Sequence, residues 1–162
     1  MSLTKQNLKD LLPSSTLLIN EICKDLTSKG KTVYQFGFGQ SPFPVPDSIV
    51  QALKNNAHQK DYLPSKGLLE LMFLLQVAFD GEIILPVPSW VSYAPQAIIA
   101  KNKYHWIQTE KNTNWHISPE HIDKIASQIE SENKLIILNS PNNPSGTNIH
   151  LLKELGEVFT KH

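Results

Sequence analysis

The chain has 162 residues, 40% of them apolar and 19% charged, with a formal net charge of zero. That balance excludes a disordered polymer and the basic footprint of a nucleic-acid-binding protein, and the length suits one ordinary domain with a real core. The longest unbroken apolar run, Leu71 to Leu75, is far short of the ~20 residues of a membrane span, and the N-terminus shows no basic segment leading into an apolar one, so a cytoplasmic protein is expected.

Cys23 is the single cysteine, so no intrachain disulfide forms, and the cysteine spacings of metal sites are missing, which predicts no metal centre. All fifteen basic residues are lysines. Without a guanidinium, bidentate recognition of a carboxylate or phosphate cannot come from these residues.

In chain order, Leu17 to Lys29 carries Leu17, Leu18, Ile22 and Leu26 among polar residues, the pattern of an amphipathic helix closed by Gly30. Thr32 to Phe38 is β-branched and aromatic and is expected to be a strand, leading into a stiff Gly37 to Pro46 segment with three prolines at alternate positions. A helix is expected from Asp47 or Ser48 to about Ala57, with Ser48 and Gln51 in capping-box spacing and Ile49, Val50 and Leu53 as its buried stripe. After the loop Asp61 to Gly67, the stretch Leu68 to Phe79 is interrupted only by Glu70 and Gln76, so it has no polar face. It is expected either to be buried all round or to be two half-helices joined.

Glu82 to Leu85 reads as a strand ending at the loop Pro86 to Tyr93, with a helix from about Ala94 to Ala100. Tyr104 to Thr109 is a further strand, and Ser118-Pro119-Glu120 opens a helix that turns Ile122, Ile125 and Ile129 inward. Leu135 to Leu138 then leads into Asn139-Ser140-Pro141-Asn142-Asn143-Pro144-Ser145-Gly146-Thr147, ahead of a helix from Ile149 onward. Two prolines and Gly146 forbid continuation of the strand there. Read locally, this is either an ordinary turn or a shaped loop at the carboxyl end of a strand, where open α/β sheets place ligands. The alternation of strand, loop and helix predicts a three-layer α/β fold with a mostly parallel sheet flanked by helices.

Four loops, taken in order, carry a resemblance. Gly39-Gln40-Ser41-Pro42-Phe43, Tyr62-Leu63-Pro64 before Gly67, Pro88-Ser89-Trp90-Val91-Ser92-Tyr93 and Asn143-Pro144-Ser145-Gly146 together resemble the pyridoxal-phosphate-dependent aminotransferases of fold type I, in the aspartate and aromatic group. The resemblance implies amino-group transfer between an amino acid and a 2-oxo acid, pyridoxal 5'-phosphate as cofactor, and a homodimer. It implies that Asn143 donates to the phenolic oxygen of the cofactor, that Trp90 lies against its ring, and that Tyr62 reaches the phosphate of a cofactor in the neighbouring subunit. Gly39 would bring its backbone N–H to the substrate carboxylate. Taken without the resemblance, Trp90 and Tyr62 read as structural aromatics and Gly39 as a turn glycine.

The resemblance also names parts that are not found here. The family's Schiff-base lysine belongs to a motif with small hydroxylated residues downstream of the Asn-Pro-x-Gly loop; Lys153 and Lys161 have no such context, so no catalytic residue is assigned. The arginine that clamps the substrate carboxylate is also missing. Between Gly67 and Gly81 there is no glycine for the loop that cups the cofactor phosphate, and the apolar run is explained as a join near Leu71 and Met72. The expectation is therefore one partial aminotransferase-like domain, with residues 1–45 an N-terminal segment and 46–162 part of the large cofactor-binding domain. Alternatively, the chain is a non-catalytic remnant that acts in binding or dimerisation.

Overall fold

A computed structural model describes residues 6–8, 11–12, 14–37, 39, 43–59 and 67–162. The chain divides into two compact units, Leu12–Gly67 on the one hand and Met1–Leu11 with Leu68–His162 on the other.

The larger unit has a parallel sheet of three strands in the order β2-β1-β3, with β1 at Glu82–Val87, β2 at Tyr104–Gln108 and β3 at Lys134–Ile136. In register, Ile84 of β1 lies opposite His105 on one side and Ile136 on the other. Residues on β1 alternate between two cores, because successive side chains of a strand point to opposite faces. Ile84 joins Ile107, Ile122, Ala126 and Leu155 under α5 (Pro119–Ala126) and α6 (Leu152–Lys161). Ile83 and Leu85 join Tyr93 and Ala97 of α4 (Tyr93–Ala100), with Met72 of α3 (Leu68–Ala78) packed beside them. The result is the expected three layers, helices on both faces of a parallel sheet.

The local chemistry that starts α5 acts as the sequence indicates. Ser118 is its N-cap, with the His121 N–H donating to Ser118 Oγ at 3.3 Å and Pro119 at the first helical position. Ile122 and Ile129 are buried and Ile125 is half-buried. The last helix begins at Leu152, three residues later than Ile149, because Ile149 itself packs against the core while its N–H donates to Ser140 Oγ at 3.0 Å.

The smaller unit contains α1 (Ser15–Ser28) and α2 (Asp47–Asn56). Gly30, at φ +76°, closes α1 as expected, its N–H donating to the Thr27 carbonyl at 3.0 Å. Three expectations are corrected here. Residues 32–37 have no ladder partner among the described residues and form no strand there, Phe38 lies outside the described residues, and Phe36 is 92% exposed. The β-branched pattern was there, but a strand exists only where a neighbour pairs with it. The N-cap of α2 is Pro46 with no side-chain bond, so the Ser48 and Gln51 capping box is not formed, because Ser48 already lies inside the helix. Ile49 and Leu53, expected to be buried, are 57% and 71% exposed.

A fourth correction falls on α3, one alternative for which was burial all round: Gln76 is its only buried residue, and the helix runs unbroken through the Leu71 and Met72 join. Leu68, Leu71, Leu74 and Leu75 are all exposed. One strip faces α4 and the sheet, and no described element covers the rest.

Candidate active site

The strand ends define where a ligand would sit. From β1 the chain turns to α4 on one face of the sheet, and from β3 it turns to α6 on the other. Neighbouring strands whose connections leave to opposite faces open a crevice at their carboxyl ends, the usual ligand position in α/β sheets. The two loops that border this crevice are the one carrying Trp90 and the one carrying Asn143.

These loops are tied together. The Asn142 amide donates to the Pro88 carbonyl at 3.0 Å and to Ser145 Oγ at 2.7 Å, and Ser145 Oγ lies 2.8 Å from Thr147 Oγ1. The turn itself is closed by Gly146 N–H to the Asn142 carbonyl at 2.7 Å and Asn142 N–H to the Thr147 carbonyl at 2.8 Å, with Gly146 at φ +71°. Asn142 is thus consumed in holding the loop, and the adjacent Asn143 is exposed. Sequence reasoning had no way to see the tether, since Asn142 and Pro88 are far apart in the chain.

Trp90 is half-buried and meets Tyr93 edge to face, with ring centroids 5.6 Å apart at 83°. Burial pushes the Tyr93 phenol above its ordinary pKa, so this ring stays neutral. Gly39 belongs to the smaller unit, is exposed, and a Cβ added there would meet nothing within 4 Å. Tyr62 lies outside the described residues.

Pyridoxal phosphate asks for a flat partner and a neutral donor at its ring, and for an anion site at its phosphate. Trp90 and Asn143 are of the right types for the first. The second is not met among the described residues. The first turn of α3 carries Leu68, Leu69 and the acidic Glu70, with no hydroxyl or cationic side chain, and the sequence has no arginine. The described residues therefore fit the ring and not the phosphate of the cofactor.

A three-layer α/β unit with paired loops over the sheet's carboxyl end is a common ligand-binding arrangement. The model of the family described as aminotransferase class I and II matches residues 64–162, and the chain belongs to that family. Aspartate aminotransferase from Bacillus subtilis is 32% identical, over 94% of this chain and 47% of its own length. Aspartate aminotransferase from Geobacillus stearothermophilus is 31% identical over 100% of this chain and 50% of its own. The same fold is seen in an aspartate aminotransferase from Thermus thermophilus solved with maleate, with a TM-score of 0.81 at 21% identity, and in one from Rhizobium meliloti, with a TM-score of 0.82 at 20%.

The chain spans about half the length of these relatives. The Geobacillus alignment runs over 200 positions while using the whole of a 162-residue chain, so that relative carries internal residues with no counterpart here.

Proposed function

We infer that this chain is part of a pyridoxal-phosphate-dependent aminotransferase, supplying the ring-side wall of the cofactor site for amino-group transfer between an amino acid and a 2-oxo acid. The observation that supports this reading is the tether of Asn142 to the Pro88 carbonyl, which brings the loop that carries Asn143 and the loop that carries Trp90 to the same strand ends. In this reading Asn143 donates to the phenolic oxygen of the cofactor, Trp90 stacks on its ring, Tyr62 serves the phosphate in a partner subunit of a homodimer, and Gly39 offers its N–H to the substrate carboxylate. The names of the relatives favour aspartate as the amino acid, and a cytoplasmic location goes with it. No helix among the described residues is long and apolar enough to cross a membrane.

The chain as given does not complete the site. In this reading neither Lys153, in the first turns of α6, nor Lys161, paired with Asp123 at 2.7 Å, is the Schiff-base lysine, because neither lies in the family's lysine motif. The internal residues that the relatives add fall, in this reading, at the Leu71 and Met72 join, where the phosphate loop would be. Mixed with pyridoxal phosphate, the 162-residue chain is expected to show no visible aldimine absorbance; a borohydride-trapped adduct at a single lysine would overturn this. The apolar surface of α3 supports a second reading, a non-catalytic module that binds or dimerises through it. Intact mass of the native product separates the two: 18.2 kDa favours the module, and a much larger mass favours the enzyme.

A further inference from the structure

Two histidine rings that play no part in the site above lie against each other at its edge. His116 and His150 have ring centroids 5.3 Å apart at a tilt of 56°, and both line a cavity of about 260 Å³ with Trp115, Asn139 and Asn148. We propose that His116 and His150 form a binding site for a divalent transition ion of the copper, nickel and zinc class.

Three observations lead there. The first is spacing: two imidazoles bound to one tetrahedral ion through bonds of about 2.0 Å have ring centroids roughly 5 Å apart, which matches the separation found. The second is preorganisation. A turn fixes His116: the Trp115 N–H donates to the Glu110 carbonyl at 2.9 Å, the His116 N–H to the Thr113 carbonyl at 3.1 Å, and Ile117 is packed into the core. His150 stands between Ile149, held by Ser140 and the core, and Leu151, whose carbonyl accepts the first bond of α6 from Leu155 at 2.9 Å. Each ring thus sits between anchored neighbours, so little order is lost when an ion joins them.

The third is chemistry. The histidines ion-paired to carboxylates among the described residues are His105, with Glu82, and His162, with Asp123, whereas His116 and His150 have each other. Imidazole nitrogens suit copper, nickel and zinc and are poor partners for calcium or magnesium. No third histidine, cysteine or carboxylate joins them among the described residues, so the remaining positions go to water or to the amide oxygens of Asn139 or Asn148 on the cavity wall. A site of two protein nitrogens with open positions is exchangeable, and copper, at the top of the divalent series, should bind ahead of zinc. Because Asn139 and Asn142 line the same cavity, an ion there stiffens the loop that presents Asn143.

The test is calorimetric titration of the whole chain with zinc chloride and, separately, copper(II) chloride, near neutral pH in a non-chelating buffer. One equivalent is expected to bind in the micromolar range, copper more tightly than zinc, with a rise in melting temperature. His116→Ala and His150→Gln should each weaken binding by roughly tenfold or more while leaving the far-ultraviolet circular dichroism unchanged, and His121→Ala, an exposed control on α5, should not alter it. Copper bound at the site should also quench Trp115 in the parent chain and not in His116→Ala. One-equivalent binding that survives both replacements would overturn the proposal, as would the absence of saturable binding in the micromolar range.

Discussion

Gly81 is the residue with least room. A Cβ there would lie 2.3 Å from the Asn133 carbonyl oxygen and 2.7 Å from the Phe79 ring, and that same carbonyl accepts the Glu82 N–H that starts β1. Gly81→Ala is expected to destabilise the fold by about 1–3 kcal/mol, read from the urea midpoint, because backbone cannot yield as a side-chain tip can. Gln96 is the second sensitive position. Its Nε2 donates to the Leu69 carbonyl at 2.9 Å, and its Oε1 accepts from the buried Gln76 amide at 2.9 Å, so one side chain serves two polar groups between α3 and α4. Gln96→Leu leaves the buried Gln76 amide without a partner and should cost about 1–3 kcal/mol in the same measurement. Neither constraint was visible in the sequence. In the sequence Gly81 only bounds a stretch without glycine and Gln76 only interrupts an apolar run, since their significance depends on what other segments bring beside them.

Among the elements, α5 and α6 are joined by a charge cluster: Asp123 Oδ1 lies 2.7 Å from Lys161 Nζ and 2.7 Å from His162 Nε2. The bond from Lys161, followed by that from His162, holds the Asp123 carboxyl below its ordinary pKa. A carboxyl whose pKa is lower in the folded chain than in the unfolded one stabilises the fold above the unfolded value and loses that contribution as pH falls through the folded value. Melting temperature should therefore drop as the solution is acidified below about pH 4, and Asp123→Asn should lower it at neutral pH while flattening the acid limb. Glu82, lowered chiefly by His105 with Lys103 nearby, acts in the same direction at the start of β1. The start of α5 makes a separate prediction: Ser118→Ala should cost about 1 kcal/mol, and Ser118→Asp should recover it.

At this scale the sequence was most informative where turn chemistry and apolar runs agreed, as at Ser118-Pro119 and at Ile83 to Leu85. It misled at Thr32 to Phe38, where side-chain preference favoured a strand but no described partner supplied the ladder.

For the whole molecule, the larger unit's layering and parallel sheet followed from the order of its strands and helices, and the two loops at the strand ends followed from their proline and glycine patterns. The environment of α3 did not. An all-apolar segment predicts burial only when enough protein surrounds it, and here Leu68, Leu71, Leu74 and Leu75 face outward. A contiguous apolar surface of this kind promotes association. The chain should sediment as species heavier than 18.2 kDa at micromolar concentration, and Leu71→Lys with Leu75→Lys should shift it toward the monomer without lowering the melting temperature. Of the candidate site, the two loops that carry Trp90 and Asn143 were legible, whereas the tether at Asn142 and the meeting of His116 with His150 were not, because each joins stretches remote in the chain. The position of β1 also writes a pattern into hydrogen–deuterium exchange. It is the strand with a neighbour on both sides, and Pro86, its penultimate residue, has no amide to exchange. Protection should therefore peak at Ile83 to Leu85, skip a position, and resume at Val87, while β2 and β3 exchange sooner along their outer edges.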